Sequence, residues 1–347
     1  MSSAAHPPRT VRPAPCAAAL LLLLASAANA CQVPVFRFAL ERWRADVYEV
    51  LVLHKGPLSA GDAERLRGLQ AQDIHGQGLV NIEARAIDLA DDAPAELLDL
   101  WNKHGGDAPI MVAVYPRQAY EVPDPIAWVA PFDDASVKAL LDSPVRREVA
   151  KRILDGDSAV WVFIPCGDKA RDAAALKTLK EELAKSEKRL RLPEGVETDE
   201  FFKEDTPIEL RLSFSVVTLD RDDAAEAFLL KSLLGGEADL ATLNDPIVFP
   251  VIGRGRALYA LTGDGINPVV IGQASEFIVG PCSCQVKEQN PGFDIVMAVS
   301  WDEKVTGSAF AQPQLPELSG LGVLETPDDI QQTQKSQEPS ADPVKED

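Results

Sequence analysis

Short unbroken apolar runs alternate with amphipathic stretches along the middle of this chain. Tyr48-Glu-Val-Leu-Val-Leu-His54 shows no polar alternation, which predicts a central strand covered on both faces. Gly56-Pro57 breaks it, and Ser59 with Asp62 after it reads as a helix N-cap leading to Leu66 and Leu69 on one helical face. Residues 80–89 alternate as a second strand, and 95–104 form a short helix closed by Gly105-Gly106. A third strand follows Pro109, with 126–129 as its hairpin partner. The helical run 134–154 is interrupted at Ser143-Pro144, which predicts two helices or one with a kink.

The same order then returns. Residues 159–164 predict a buried strand, and 168–190 a long helix with Leu176, Leu179 and Leu183 on its apolar stripe. After an acidic, turn-forming stretch at 191–206 come a strand at 208–219 and a helix at 224–234. A third strand starts at Asp245-Pro246, and Gly253-Arg-Gly-Arg256 turns it into a partner at 257–261. Gly253-x-Gly255 lacks the third glycine of a phosphate loop and joins two strands, so it reads as a hairpin. A last helix at 267–279 and an added strand at 293–301 complete the copy.

A repeated order of elements constrains a fold more than any single motif does. The order strand, helix, strand, helix, Pro-strand, strand, helix resembles the thioredoxin-like fold, here in tandem across residues 48–280. The expected architecture is α/β: two thioredoxin-like domains, 48–157 and 158–302, each a mixed central sheet flanked by helices. The resemblance implies a cis-proline before the third strand, so at least one of the Ala108–Pro109 and Asp245–Pro246 bonds is expected to be cis. It also places Cys166 where the family keeps its nucleophile, at the start of the long helix and close to Pro246. The family's Cys-x-x-Cys is missing, however. Lys169 stands where the resolving cysteine belongs, and the first copy reads Lys55-Gly-Pro-Leu58 with no thiol.

The ends of the chain carry a different pattern. Arg9 and Arg12 precede an apolar stretch over 16–28, too short to span a bilayer, that ends Ala28-Asn29-Ala30 before Cys31. Residues 1–30 therefore read as an export signal. Cys31 is either the first residue after ordinary cleavage or a lipidated N-terminus that attaches the protein to a membrane. Residues 31–47, with Phe36, Phe38, Leu40 and Trp43, form an arm expected to pack on the first domain. From 303 to 347 Gln, Pro, Ser, Glu and Asp dominate, which predicts a disordered tail. The segments Cys31-x-Val-Pro-Val-Phe-Arg-Phe and Gly280-Pro-Cys-Ser-Cys-Gln-Val resemble a family of exported bacterial proteins of unassigned activity.

Net charge is −20, and losing residues 1–30 removes two arginines and no acid, leaving −22. Such a chain is repelled by phosphate backbones, which argues against nucleic acid as a partner. Past the signal only Cys31, Cys166, Cys282 and Cys284 remain, too few for a disulfide scaffold. Cys166 at a helix N-terminus could carry a reactive thiolate, or be inert on a degenerate fold. Cys282 and Cys284 could hold a disulfide, be buried thiols, or supply two metal thiolates. Zinc would need two further ligands, and His54, His75 and His104 all lie in the first copy. No cofactor is expected. The resulting expectation is an exported, non-catalytic binding or assembly protein of the cell envelope with a protein partner. The rival is a thiol–disulfide protein using Cys166 or the Cys282/Cys284 pair.

Overall fold

In the computed structural model, which describes residues 33–75, 79–90, 93–119, 121–193, 208–209, 211–282 and 286–306, two mixed sheets stand flanked by helices. The first sheet comprises β1 (Tyr48–His54), β2 (Ile82–Asp88), β3 (Ile110–Val114) and β4 (Ile126–Pro131) in the order β2-β1-β3-β4. β1 runs parallel to β2 and antiparallel to β3, with Val50 opposite both Ala84 and Ala113. The second sheet repeats this order. β5 (Ala159–Ile164) lies parallel to β6 (Phe214–Thr218) and antiparallel to β7 (Ile247–Ile252). Where the first sheet has β4, the second has two short pieces, β8 (Arg256–Ala257) and β9 (Leu261–Thr262), both paired with β7. A two-residue strand, β10 (Phe293–Asp294), pairs with β8.

Burial of the central strands follows their composition. All six residues of β5 and all six of β7 are buried, as expected for strands covered on both faces. In β1 successive side chains alternate between two cores. Val50 and Val52 face a large cluster with Leu69 and Leu140, while Leu51 and Leu53 join Trp101 on the other face. These helices are α2 (Ala60–Gln70), α3 (Ala95–His104) and α4 (Asp134–Leu141). The large cluster is shared by the two sheets. Val160, Val162, Phe249 and Val251 belong to it, as do Val149 and Ile153 of α5 (Pro144–Leu154). From α7 (Ala227–Leu234), Phe228 packs edge-on against Tyr48 at 6.1 Å and Trp128 at 5.6 Å. The far face of the second sheet, with Trp161, Phe163 and Val248, is covered by α6 (Lys169–Arg189) and α8 (Pro268–Val279).

Local signals place the helix starts. The Ser59, Asp133, Ser143, Asp168 and Asn267 side chains each accept a bond from a backbone N–H in the first turn. Pro144 and Pro268 occupy the first turn, where no N–H is needed. The interruption at Ser143-Pro144 thus separates two helices, α4 and α5.

Four expectations are corrected. First, no described peptide bond is cis, so Pro109 and Pro246 are both trans. Each proline lies one residue before its strand, and its carbonyl accepts a bond from the Phe132 and Gly263 amides, respectively, at 3.0 Å. The trans isomer is the one X–Pro bonds favour, by ~0.5–1 kcal/mol. Second, the arm packs mainly on the second sheet, with Leu40 reaching the core that the two sheets share. Its helix, α1 (Val35–Arg42), lays Phe36 and Ala39 with Trp43 on the second sheet's outer core. Ala39 sits where a Cβ on Gly253 would meet its own Cβ at 2.6 Å, so the Gly253 turn (φ 56°) admits the helix.

Third, residues 293–301 form no continuous strand. Side chains take the place of a neighbouring strand: Asn81 Nδ2 donates to the Ile295 carbonyl (3.2 Å), Met297 N–H donates to Asn81 Oδ1 (2.7 Å), and Arg146 Nη1 donates to the Val296 carbonyl (3.0 Å). Fourth, helical structure continues past 302 as α9 (Trp301–Thr306), because Trp301 and Val305 bury themselves in the large core. The rest of the expected tail lies outside the described residues.

One buried polar cluster joins the arm to both sheets. Asp294, 2% exposed, accepts from Asp46 N–H (2.8 Å), Lys287 Nζ and Arg256 Nη1 (3.2 Å), while its carbonyl accepts from Tyr48 Oη (2.8 Å). Lys287 also pairs with Asp46 at 2.8 Å, and Arg256 stacks over Trp43. Burial pushes the Asp46 carboxyl above its ordinary range, and the adjacent Asp294 carboxylate adds to the effect.

Candidate functional site

The position expected to carry chemistry is the junction between β5 and α6. β5 ends at Ile164, and Pro165 and Cys166 precede Gly167, whose φ of 93° needs a glycine. Asp168 caps α6 by accepting from the Ala170 and Arg171 amides at 2.9 and 3.1 Å. Those bonds hold its carboxyl below the usual range. Asp172, one turn in, folds back and accepts from the Cys166 amide (2.8 Å) and the Gly167 amide (3.0 Å).

A helix N-terminus activates a thiol through its unpaired amides and dipole. Here Asp172 already occupies the amides of Cys166 and Gly167, and Asp168 those of Ala170 and Arg171. The half-buried Cys166 thus has its backbone amide bonded to a carboxylate. Arg171 Nη1 pairs with Asp245 (2.7 Å) and its Nη2 donates to the Asn244 carbonyl (2.8 Å), tying the start of α6 to the residues before Pro246. Arg221 donates to the Pro165 carbonyl (2.8 Å). Of these two arginines, Arg171 is the one engaged with a carboxylate among the described residues.

The matching junction of the first sheet carries no thiol. His54 Nδ1 lies 2.7 Å from the Gly56 carbonyl, and the Gly56 amide donates to Asp88 (2.9 Å). Bonds from the Ala90 and Gly56 amides lower the Asp88 carboxyl. Lys55 rests over the Trp101 ring. These contacts account for His54 as a polar strand end.

Cys282 sits elsewhere, beyond α8 and within the outer core of the second sheet at 2% exposure. Its amide donates to the Val33 carbonyl (2.8 Å), beside an antiparallel bridge between Pro34 and Pro281. Cys284 and Cys31 lie outside the described residues. Among the described residues no group of His, Cys, Asp or Glu could hold a metal ion, and no helix is long and apolar enough to cross a membrane.

A concavity beside α5 is a feature the sequence reading missed. α5 turns Arg147, Ala150, Lys151 and Leu154, spaced for one helical face, toward a groove of about 550 Å³. Opposite lie Met297, Ala298 and Val299, with Leu79 and Leu141 completing an apolar floor and Lys304 at the rim. Beneath it Arg146 is buried, and every acceptor it reaches is neutral: Ser143 Oγ and the Ala139, Leu140 and Val296 carbonyls, at 2.5–3.1 Å. Burial lowers its pKa to about 10. Two signals in the sequence bore on this groove: apolar and basic residues mixed on one face of 147–154, and Trp301 with Val305 inside an acidic run.

Compared with protein-family models, with curated proteins and with solved structures, the chain matches none of them.

Proposed function

We propose that this chain is an exported binding protein of the bacterial cell envelope, built from two thioredoxin-like halves that no longer perform dithiol exchange. The repeated strand order supports the thioredoxin-like reading: in both sheets the first strand lies between a parallel second strand and an antiparallel third. The trans prolines remove one mark of that family but leave this topology intact. Export is supported by Arg9 and Arg12 ahead of the apolar stretch and by Ala28-Asn29-Ala30 before Cys31. Cys31, lipidated, would attach the protein to a membrane, and the partner would be another envelope protein.

One observation carries the non-catalytic reading. Asp172 accepts from both the Cys166 and Gly167 amides, so the helix end that would stabilise a thiolate is neutralised by the protein itself. Lys169 in the resolving position removes the second thiol. The test is insulin reduction coupled to dithiothreitol, run with the mature protein and with Cys166→Ser, beside mass determination of the exported N-terminus. We expect background turnover in both proteins and a mature chain starting at Cys31. Turnover abolished by Cys166→Ser would establish a thiol–disulfide protein instead, and an N-terminus at Met1 would end the export reading.

A further inference from the structure

We propose that the groove between α5 and residues 297–304 binds a single-chain anionic amphiphile of the long-chain carboxylate class. This names a ligand class for the binding reading above and rests on it. Three observations carry the assignment. The volume, about 550 Å³, lies within the ~300–1,000 Å³ of small-molecule sites, and the floor is apolar. Leu79, Leu141, Leu154 and Val299 are only half-buried there, so they retain apolar surface that a hydrocarbon chain would cover.

The charge around that floor is opposite to that of the whole protein. Arg146, Arg147, Lys151 and Lys304 face Asp142 and Asp155, an excess of two positive charges on a chain of −20. Arg147 and Lys151 pair with Asp142 and Asp155 only at exposed positions. Exposed pairs of this kind are weak, so an incoming anion can compete for both cations. Lys304 is exposed and has no ion-pair partner among the described residues. Arg146 adds a positive charge from below, offset in part by the buried Glu226 carboxylate and by Asp142 already counted at the rim, with its own hydrogen bonds all going to neutral acceptors. A cationic rim over an apolar floor selects a ligand with an anionic head and one chain. The groove's concavity favours a single extracted molecule over a flat lipid surface.

The experiment is titration of the full mature protein with palmitate below its self-association concentration, read by calorimetry and by tryptophan fluorescence, with methyl palmitate as the uncharged control. Lys304→Glu and Lys151→Glu alter only exposed side chains, and their folding is checked by circular dichroism. We expect saturable binding of palmitate, weaker binding of the methyl ester, and about a tenfold loss of palmitate affinity in Lys304→Glu. Equal binding of acid and ester, or palmitate binding unchanged in both charge variants, would overturn the proposal. So would a concentration-dependent dimer that the variants dissociate and palmitate does not. A failed titration leaves the insulin result untouched, and insulin turnover leaves the titration untouched, so the two readings fail separately.

Discussion

Replacing Asp294 by Asn keeps the shape of the side chain and removes one charge from the buried cluster that joins the arm to both sheets. Lys287 and Arg256 are 8% and 5% exposed, so neither can turn to water when the carboxylate goes. Breaking a buried ion pair by removing one partner costs about 3–5 kcal/mol, because an uncompensated charge stays behind. Two effects set the position within that range. Asp46 remains as a counter-ion for Lys287 at 2.8 Å, and losing the Asp294 carboxylate relieves the repulsion that helps to raise the Asp46 carboxyl. Arg256 keeps its bonds to the Pro291 and Asn290 carbonyls. The expected loss is therefore at the lower end, about 3 kcal/mol, which at ~2 °C per kcal/mol lowers Tm by about 6 °C. Urea unfolding of the protein measures it, and a double-mutant cycle with Lys287→Met separates the pair from the rest. A loss under about 1 kcal/mol, with no coupling to Lys287, would refute the claim that this cluster fastens the structure.

Three further perturbations probe separate joints. Burial raises the Glu41 carboxyl despite the neighbouring Arg37, so the folded state holds that proton to higher pH than the unfolded chain. Glu41's contribution to stability is then full below its unfolded pKa and is lost as pH rises through the folded pKa. Glu41→Gln should flatten this decline in the acid range, as followed by thermal melts across pH. Ser143→Ala removes the α5 cap and an acceptor for buried Arg146 Nε, for an expected loss of about 1–2 kcal/mol in urea unfolding. Gly253→Ala would drive its Cβ against Ala39 and should cost stability while α1 lifts, read as increased hydrogen exchange over 35–42.

Which parts of the fold were legible follows from how local their causes are. The unbroken apolar runs of β1, β3, β5 and β7 announce buried strands, and Ser59, Asp168 and Pro144 mark helix starts within a few residues of themselves. The arm was misplaced because the apolar face of α1 states only that it must be covered, not by which sheet. The segment 293–301 misled for a different reason. Past the short β10, its backbone is satisfied piecemeal, by the Asn81 and Arg146 side chains, the Gly255 carbonyl and a bridge to Val80, all distant in sequence, so an apolar run of strand composition needs no continuous ladder. The groove was illegible for the same reason, since its walls at 141–154 and 297–304 meet only in the folded chain. At the Cys166 junction the sequence gives the thiol and the missing resolving cysteine. That Asp172 reaches back to the Cys166 amide is a matter of side-chain direction, which spacing alone does not decide.

The most direct test of the account is the rate at which iodoacetamide modifies native Cys166, measured beside Asp172→Asn and a small-molecule thiol at neutral pH. With the helix end neutralised by Asp172, the wild-type protein should react no faster than the free thiol, and Asp172→Asn should react faster than the wild type. Native labelling well above the free thiol, unchanged by Asp172→Asn and lost in Cys166→Ser, would contradict the account and make this junction an active redox site.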